Sequence, residues 1–172
     1  MSLILVRHTR PVGGEGLCYG RLDLAPGPDL ATAAAALAAA LPGFAAVATS
    51  PAARCRRLAE RLAAARGLVV PTSDARLAEI DFGAWEGLAW DAVPRGELDA
   101  WAADLTHARP HGGESVAMLE ARVRDALADW RAAAGPVLVV THAGVVRAAR
   151  AIAGAPDAWT STIAYGAWVR WP

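Results

Sequence analysis

The sequence has no excess of either charge. Seventeen basic residues balance seventeen acidic ones in a chain of 172 residues, so no global field draws the protein onto nucleic acid or an anionic membrane. Any selectivity for an anion must therefore come from a few side chains at one place.

A long hydrophobic run is also lacking. The longest apolar stretch, residues 33–41, is mostly alanine and is about half the ~20 residues that a membrane-spanning helix needs. The chain opens directly on an apolar run, residues 3–6, without the basic region and cleavage site of a secretion signal. We therefore expect no membrane segment and a cytoplasmic location.

Only two cysteines are present, Cys18 and Cys55. Their spacing fits neither a metal site nor a disulfide framework, and such sparse usage suits a reducing compartment. We expect two free thiols and no bound metal ion.

Hydrophobic residues, by contrast, make up 55% of the chain. This length and content support one substantial core but not two ordinary domains, so we predict a single domain over residues 1–172. Glycine and proline are frequent over residues 82–113, which predicts a lid-like insertion around a short helix at 98–105. His107 and His111 lie in that insertion and are expected to face solvent.

Short runs rich in Val, Ile and Leu alternate with longer alanine-rich segments. This alternation predicts an α/β fold, a three-layer sandwich with a largely parallel central sheet flanked by helices. The predicted strands are residues 3–6, 44–48, 68–70 and 137–140, with an edge strand within 164–171. The predicted long helices are residues 29–41, 51–66, 114–133 and 145–153.

Groups suited to a phosphate follow three of the predicted strands. Arg7 and His8 follow the first strand, Arg54 lies one helical turn beyond the second, and His142 follows the fourth. Ligands of open parallel sheets bind in the crevice beyond the carboxyl ends of the strands. We therefore expect two imidazoles and two guanidiniums to converge there.

Such a mixture of side chains suits phosphoryl transfer. Arginine stays cationic and donates paired hydrogen bonds to phosphate oxygens, while a neutral histidine can attack phosphorus and form a covalent intermediate. The helix predicted to begin at Pro51, with Ser50 as its cap, would add backbone donors at its N-terminus.

A departing alkoxide needs a proton, so a carboxylic acid is expected beside these groups. Glu79 is the candidate because its apolar neighbours favour the protonated form. Asp81 and Glu86 are alternatives, and their spacing along the chain does not choose among the three.

These residues resemble the histidine phosphatase superfamily, which includes the cofactor-dependent phosphoglycerate mutases. The order and spacing of the motifs agree from residue 3 to residue 144. The matching segments are Leu5-Val6-Arg7-His8, Ser50-Pro51-Ala52-Ala53-Arg54, Leu77-Ala78-Glu79 with Gly83 and Trp85-Glu86-Gly87, Thr141-His142-Ala143-Gly144 and, more weakly, Gly113-Glu114-Ser115.

The resemblance implies a phosphoglycerate mutase-like fold and a catalytic set that needs neither metal nor organic cofactor. It makes His8 the nucleophile and Glu79 the proton donor. Arg7, Arg54 and His142 would hold the phosphate, and His142 would also take part in catalysis. The implied partner is a small phosphorylated metabolite.

Two positions depart from the commonest family pattern, and they bear on the substrate rather than on the chemistry. Thr9 stands where the family usually has glycine, and Arg10 stands where it often has glutamate. Residues 7–11 and 17–23 look most like α-ribazole phosphatases of cobalamin biosynthesis. In that reading Arg21 adds a cation beside the phosphate or the ribose.

Three readings of the function stay open. The first is hydrolysis of α-ribazole 5'-phosphate, which the resemblance and a chain shorter than typical mutases favour. The second is a phosphatase of another small phosphometabolite, or a phosphoglycerate mutase. The third is a phospholigand-binding protein without catalysis, which the complete set of nucleophile and phosphate-binding residues disfavours. The sequence predicts neither the role of Tyr19 nor the oligomeric state.

Overall fold

A sheet of five strands in the order β3-β2-β4-β1-β5 forms the centre of the computed structural model, which describes residues 2–172. The strands are β1 (Leu3–Arg7), β2 (Ala46–Thr49), β3 (Thr72–Ser73), β4 (Val137–Thr141) and β5 (Trp168–Trp171). Strands β1 to β4 pair in parallel, and β5 runs antiparallel along the edge of β1. The predicted, largely parallel sheet is confirmed.

Helices cover both faces of this sheet. The helices are α1 (Leu30–Ala40), α2 (Ala53–Ala64), α3 (Arg95–Ala103), α4 (Val116–Arg131) and α5 (Ala143–Ile152). Successive side chains of a strand point to opposite faces, so Leu3 and Leu5 of β1 pack in the core with α4 and α5, while Ile4 and Val6 pack with α1 and α2. The three-layer α/β architecture is therefore as predicted.

Two predicted strands differ from the structure. Strand β2 begins two residues later than the predicted 44–48. The strand predicted at 68–70 is wrong, because Val69 and Val70 are 87% and 83% exposed and the chain joins the sheet only at β3. In the sequence, the two exposed valines look like part of a buried strand. The edge strand β3 has only two residues, too few to give a recognisable hydrophobic pattern.

The predicted long helices are found, with different ends. Helices α1, α4 and α5 lie within two residues of the predicted ends. Helix α2 begins at Ala53, two residues after its predicted start. Its N-cap position is Ala52, without a side-chain cap, so the predicted cap at Ser50 is wrong. Among the helices of the described chain, none combines the length and hydropathy that a bilayer crossing requires.

The segment predicted as an insertion, residues 82–113, carries α3, which lies a few residues before the predicted helix at 98–105. Its aromatic residues form a cluster together with Cys18. His107 is exposed, as predicted, with 72% of its side chain accessible. The prediction for His111 is wrong, since only 2% of it is exposed. Its ring lies 4.7 Å from that of Trp85, inside the aromatic cluster.

Candidate active site

The residues that follow β1 and β4 lie side by side at the carboxyl edge of the sheet. Arg7 is paired with Thr141 in the parallel register, and the N–H of His8 donates to the carbonyl of Thr141 over 2.9 Å. The ring centroids of His8 and His142 are 5.2 Å apart. Two histidines from distant parts of the sequence therefore meet at one point, as predicted.

His8 is a neutral imidazole with one nitrogen left for chemistry. Its Nδ1 lies 2.7 Å from the carbonyl oxygen of Thr9. Because a carbonyl can only accept, Nδ1 carries the proton and Nε2 keeps its lone pair. Burial, reinforced by the positive charges of Arg54 and Arg7, lowers the pKa of His8 to about 3.

His142 is also neutral, and its tautomer is the opposite one. The Nη2 of Arg54 lies 3.3 Å from Nδ1 of His142, and a guanidinium can only donate, so Nδ1 is the acceptor. The proton is then on Nε2, which donates to Oγ of Ser50 over 2.7 Å. Burial, followed by the proximity of His8 and Arg54, holds the pKa of His142 well below its usual range.

Arg54 is fully buried beneath the two histidines. Its guanidinium donates to the carbonyls of Gly20 and Leu22 over 2.7 and 2.8 Å, and its Cζ lies 5.1 Å from the ring centroid of Tyr19. Within residues 2–172, its buried Nε has no hydrogen-bond partner. The loop after β1 thus fixes the cation, while its Nε–H group stays unpaired.

Glu86 organises that loop. Its carboxylate accepts hydrogen bonds from four backbone N–H groups, at distances between 2.8 and 3.1 Å. The donors are Gly20, Arg21, Leu22 and Phe82. These bonds occupy both oxygens of Glu86, so this carboxylate holds the backbone that in turn holds Arg54.

Arg7 is fixed by the segment before β5. It donates to the carbonyl of Ile163, and its Cζ stands 3.8 Å from the ring centroid of Tyr165. The hydroxyls of Tyr165 and Tyr19 are hydrogen-bonded at 2.8 Å, so the two tyrosines that stack on the two guanidiniums also support each other. In the described part of the chain, the buried Nε of Arg7 is likewise without a partner.

Two cavities meet at Glu79. One has a volume of about 350 Å³ and is lined by Glu79, His142 and Arg21 among others. The other has a volume of about 280 Å³ and is lined by Glu79, His8 and Arg7 among others. Glu79 therefore borders the space around both histidines.

The structure separates Glu79 from its two rivals. Glu79 accepts hydrogen bonds from the N–H groups of Ile80 and Gly144, at 2.9 and 3.0 Å. Asp81 instead accepts from Gly83 at 2.7 Å, and neither Asp81 nor Glu86 lines either cavity. Of the three carboxylates, Glu79 alone borders both cavities.

The remaining predicted positions lie around the rim. Arg21 borders the larger cavity, and its guanidinium contacts Glu114 at 3.4 Å. Arg10 is exposed and lies 4.0 Å from Glu15. Thr9 is buried, and its hydroxyl finds no hydrogen-bond partner within residues 2–172.

Two of the backbone donors expected at the start of α2 are already used. The N–H of Ala53 donates to Oδ1 of Asp23 over 2.8 Å, and the N–H of Ala52 contacts Oγ of Ser50 at 3.3 Å. The prediction that this helix terminus offers unpaired donors therefore fails for Ala52 and Ala53. The carboxylate of Asp23, in the loop after β1, occupies the position that was predicted for a ligand anion.

Sequence reasoning missed three residues that shape the site. Tyr165 supports Arg7, the hydroxyl of Ser50 holds His142, and Arg122 donates to the carbonyls of Ala78 and Glu79. Only Ser50 lies inside a motif. The described residues contain no cluster of three or more His, Cys, Asp or Glu side chains able to hold a metal ion.

Solved structures of similar sequence superpose on nearly the whole chain. The protein TTHB049 of Thermus thermophilus is 32% identical, with a TM-score of 0.80 over 100% of this chain and 95% of its own. A phosphoglycerate mutase from the same organism is 31% identical, with a TM-score of 0.79 over 100% and 94%. The mycobacterial glucosyl-3-phosphoglycerate phosphatase is 27% identical, with a TM-score of 0.82 over 98% and 88%. A comparison with curated proteins gives no match.

The family comparison agrees with the motifs. Residues 3–167 match the model of the histidine phosphatase superfamily, branch 1. This span begins with β1 and includes every residue described above around the two histidines. The chain therefore belongs to the histidine phosphatase superfamily, branch 1, and its structural neighbours include a phosphatase and a phosphoglycerate mutase.

Proposed function

We propose that the protein is a phosphomonoester hydrolase that carries the phosphoryl group on His8. The state of His8 is the main support, because Nδ1 is held by the carbonyl of Thr9 and the imidazole is neutral. Only Nε2 is then free to attack phosphorus. A second support is that Arg7 and Arg54 each keep a buried Nε without a partner in residues 2–172.

The reaction would proceed in two steps. Nε2 of His8 attacks phosphorus while Glu79 gives a proton to the departing alkoxide, and Arg7, Arg54 and His142 stabilise the oxygens of the phosphoryl group. Water then attacks the phosphohistidine and Glu79 takes its proton. Inorganic phosphate leaves and His8 is restored. We propose that neither a metal ion nor an organic cofactor takes part, since the charge of two guanidiniums meets the same need.

For the substrate we propose α-ribazole 5'-phosphate, and for the location the cytoplasm. The substrate proposal rests on the resemblance of residues 7–11 and 17–23 and on Arg21, which borders the larger cavity. Cys18 and Cys55 are both free thiols, which suits a reducing compartment. The alternative is another phosphometabolite or the mutase reaction, because one neighbour of 31% identity is a phosphoglycerate mutase.

Phosphate release in the presence of EDTA tests the chemistry. Replacement of His8 by asparagine should abolish turnover and acid-labile labelling by substrate phosphate, whereas His107→Asn, an exposed control, should retain both. Normal EDTA-resistant hydrolysis by the His8→Asn variant would reject the phosphohistidine route. Tight phosphoester binding by the wild type without hydrolysis would instead favour a binding protein.

A substrate panel tests the specificity. We expect a higher kcat/KM for α-ribazole 5'-phosphate than for glucosyl-3-phosphoglycerate or 3-phosphoglycerate. Interconversion of phosphoglycerates that depends on 2,3-bisphosphoglycerate would replace the hydrolase proposal by the mutase alternative.

A further inference from the structure

A third cavity adjoins Glu79 on the side of the insertion. Its volume is about 250 Å³, and its walls include Phe82, Trp101 and Trp159. Building on the proposed function, we infer that this cavity binds the alcohol part of the substrate. It selects phosphomonoesters whose alcohol carries a flat, largely apolar ring with a hydrogen-bond acceptor.

The position of the cavity follows the geometry of phosphoryl transfer. The attacking atom and the leaving oxygen lie roughly in line on opposite sides of phosphorus. The third cavity shares Glu79 and Arg147 with the cavity that His8 lines. The cavity of about 350 Å³ shares only Glu79 with the cavity around His8, whereas the third cavity shares Arg147 as well. We therefore assign the alcohol of an ester attacked by His8 to the third cavity.

The walls of this cavity suit a ring. Three aromatic side chains, Phe82, Trp101 and Trp159, border it together with aliphatic residues such as Leu105. Aromatic groups pack favourably on one another in stacked or edge-to-face arrangements. The indole Nε1–H of Trp159 donates to Oε1 of Glu120 over 2.9 Å, and this hydrogen bond fixes the Trp159 side chain.

Trp101 lines this cavity and carries an unsatisfied donor. Its Nε1 is buried and finds no hydrogen-bond partner among residues 2–172. A buried donor without a partner costs about 1–3 kcal/mol, which a ligand acceptor that reaches it would recover. We therefore infer a ring with an acceptor atom rather than a plain hydrocarbon.

Arg147 lies where the third cavity meets the cavity around His8. Its Nε donates to the carbonyl of Ser161 over 3.0 Å, and the side chain is partly buried. The planar guanidinium can stack on an aromatic ring that passes it. A small alcohol with a carboxylate would use this cation but none of the aromatic walls.

The other cavity that borders Glu79, lined also by His142, is polar. Arg21, Asp23 and Ser50 line it, so it offers charged and hydroxyl groups rather than aromatic faces. Burial of a ring against those groups would leave them without hydrogen bonds. We therefore expect the polar part of the substrate in the polar cavity and the ring in the third cavity.

The test uses phosphate esters of alkyl alcohols that differ in the attached group: ethyl, benzyl and pyridin-3-ylmethyl phosphate. We expect kcat/KM for benzyl phosphate to exceed that for ethyl phosphate at least tenfold. The pyridine ester should gain a further factor of about three to ten, since one net hydrogen bond is worth about that much.

Two variants locate the effect. Trp101→Phe should remove the advantage of pyridin-3-ylmethyl over benzyl phosphate, because it deletes the N–H and keeps a ring. Leu105→Trp narrows the cavity at a partly exposed position and should lower the benzyl-to-ethyl ratio about tenfold. Trp171→Phe is the control, since it also loses an indole hydrogen bond, to the carbonyl of Ala149. It lies at the other end of β1, opposite Leu3, and should keep both ratios.

Equal kcat/KM for ethyl and benzyl phosphate in the wild type, or an unchanged ratio in Leu105→Trp, would overturn this inference and leave the hydrolase proposal intact. Hydrolysis of none of the three esters, and none of α-ribazole 5'-phosphate, would overturn both. Loss of the benzyl preference in Leu105→Trp, with both ratios kept by Trp171→Phe, would support the assignment.

Discussion

The backbone N–H of Gly144 donates to Oε2 of Glu79 over 3.0 Å. The first turn of α5 thereby holds the carboxylate that borders all three cavities. A Cβ on residue 144 would lie only 2.1 Å from Oε1 of Glu79. The contact consequently requires glycine at this position.

Replacement of Gly144 by alanine should displace Glu79 and lower kcat by about 100-fold, because a shift of about 1 Å in a catalytic group can cost that much. Steady-state hydrolysis of one phosphate ester measures the effect. Gly43→Ala is the matched control, since nothing lies within 4 Å of its added Cβ. Equal kcat in both variants would show that the contact does not position a catalytic group.

The role of Glu79 can be separated from that of Glu86 by the acidity of the leaving alcohol. Glu79→Gln should lower kcat/KM for ethyl phosphate by about 10³-fold and for 4-nitrophenyl phosphate by less than tenfold, since only the alkoxide needs a proton. The parameter kcat/KM suits this test because it includes only the steps up to alcohol release.

Glu86→Gln should lower kcat/KM for the two esters by the same factor. The amide would place an NH₂ group among four backbone donors and disturb the loop that holds Arg54. A dependence on the leaving group in Glu86→Gln, rather than in Glu79→Gln, would reverse the assignment of the acid.

A partly buried ion pair, formed by Arg122 of α4 and Glu114, supports the chain around Glu79. Arg122 donates to Glu114 over 2.7 Å and to the carbonyls of Arg76, Ala78 and Glu79. Burial alone would raise the pKa of Glu114, but the hydrogen bonds and charge of Arg122 outweigh it and hold that pKa below its usual value.

Arg122→Met should lower the free energy of unfolding by about 3 kcal/mol, because it leaves a partly buried carboxylate and several carbonyls unpaired. Arg124→Met, on the exposed side of the same helix, should change it by less than about 0.5 kcal/mol. Urea unfolding of both variants gives the comparison. Equal midpoints and slopes would contradict a supporting role for Arg122.

The fold was predictable where local pattern and burial agree. Strands β1 and β4 are continuous apolar runs buried on both faces, and each is followed by a motif residue, His8 or His142. The pattern predicted a strand wrongly at Val69 and Val70, because these two hydrophobic side chains are exposed in the structure. A strand of two residues, such as β3, has no period to detect.

The site residues that could be predicted are those that lie in motifs at the ends of strands. Parallel register brings His8 beside His142, and this follows from topology. The contacts of Tyr165 and Arg122 depend on how distant loops and helices pack, so spacing along the chain gives no signal for them. The contact of Asp23 with the start of α2 is likewise a tertiary contact, and it occupies one of the donors that helix geometry alone predicts.

Three buried histidines make stability depend on pH in a direction that can be measured. Burial, together with nearby positive charge, lowers the pKa of His8 to about 3, and burial also lowers the pKa values of His142 and His111. Between the unfolded pKa near 6.5 and the folded value, the unfolded chain binds a proton that the folded chain does not. Stability is therefore complete above about pH 6.5 and is lost as the pH falls.

Between pH 7 and pH 5 we expect the free energy of unfolding to fall by on the order of 2 kcal/mol through His8, whose folded pKa lies far below this window. Asp74 and Glu114 have lowered pKa values and contribute mainly below this window. Urea unfolding at both pH values should show that His8→Asn removes about 2 kcal/mol of the difference. His107→Asn should keep it, because that ring is exposed. The same pH dependence in His8→Asn and the wild type would mean that His8 is not buried as a neutral imidazole, and the nucleophile proposed here would lose its main support.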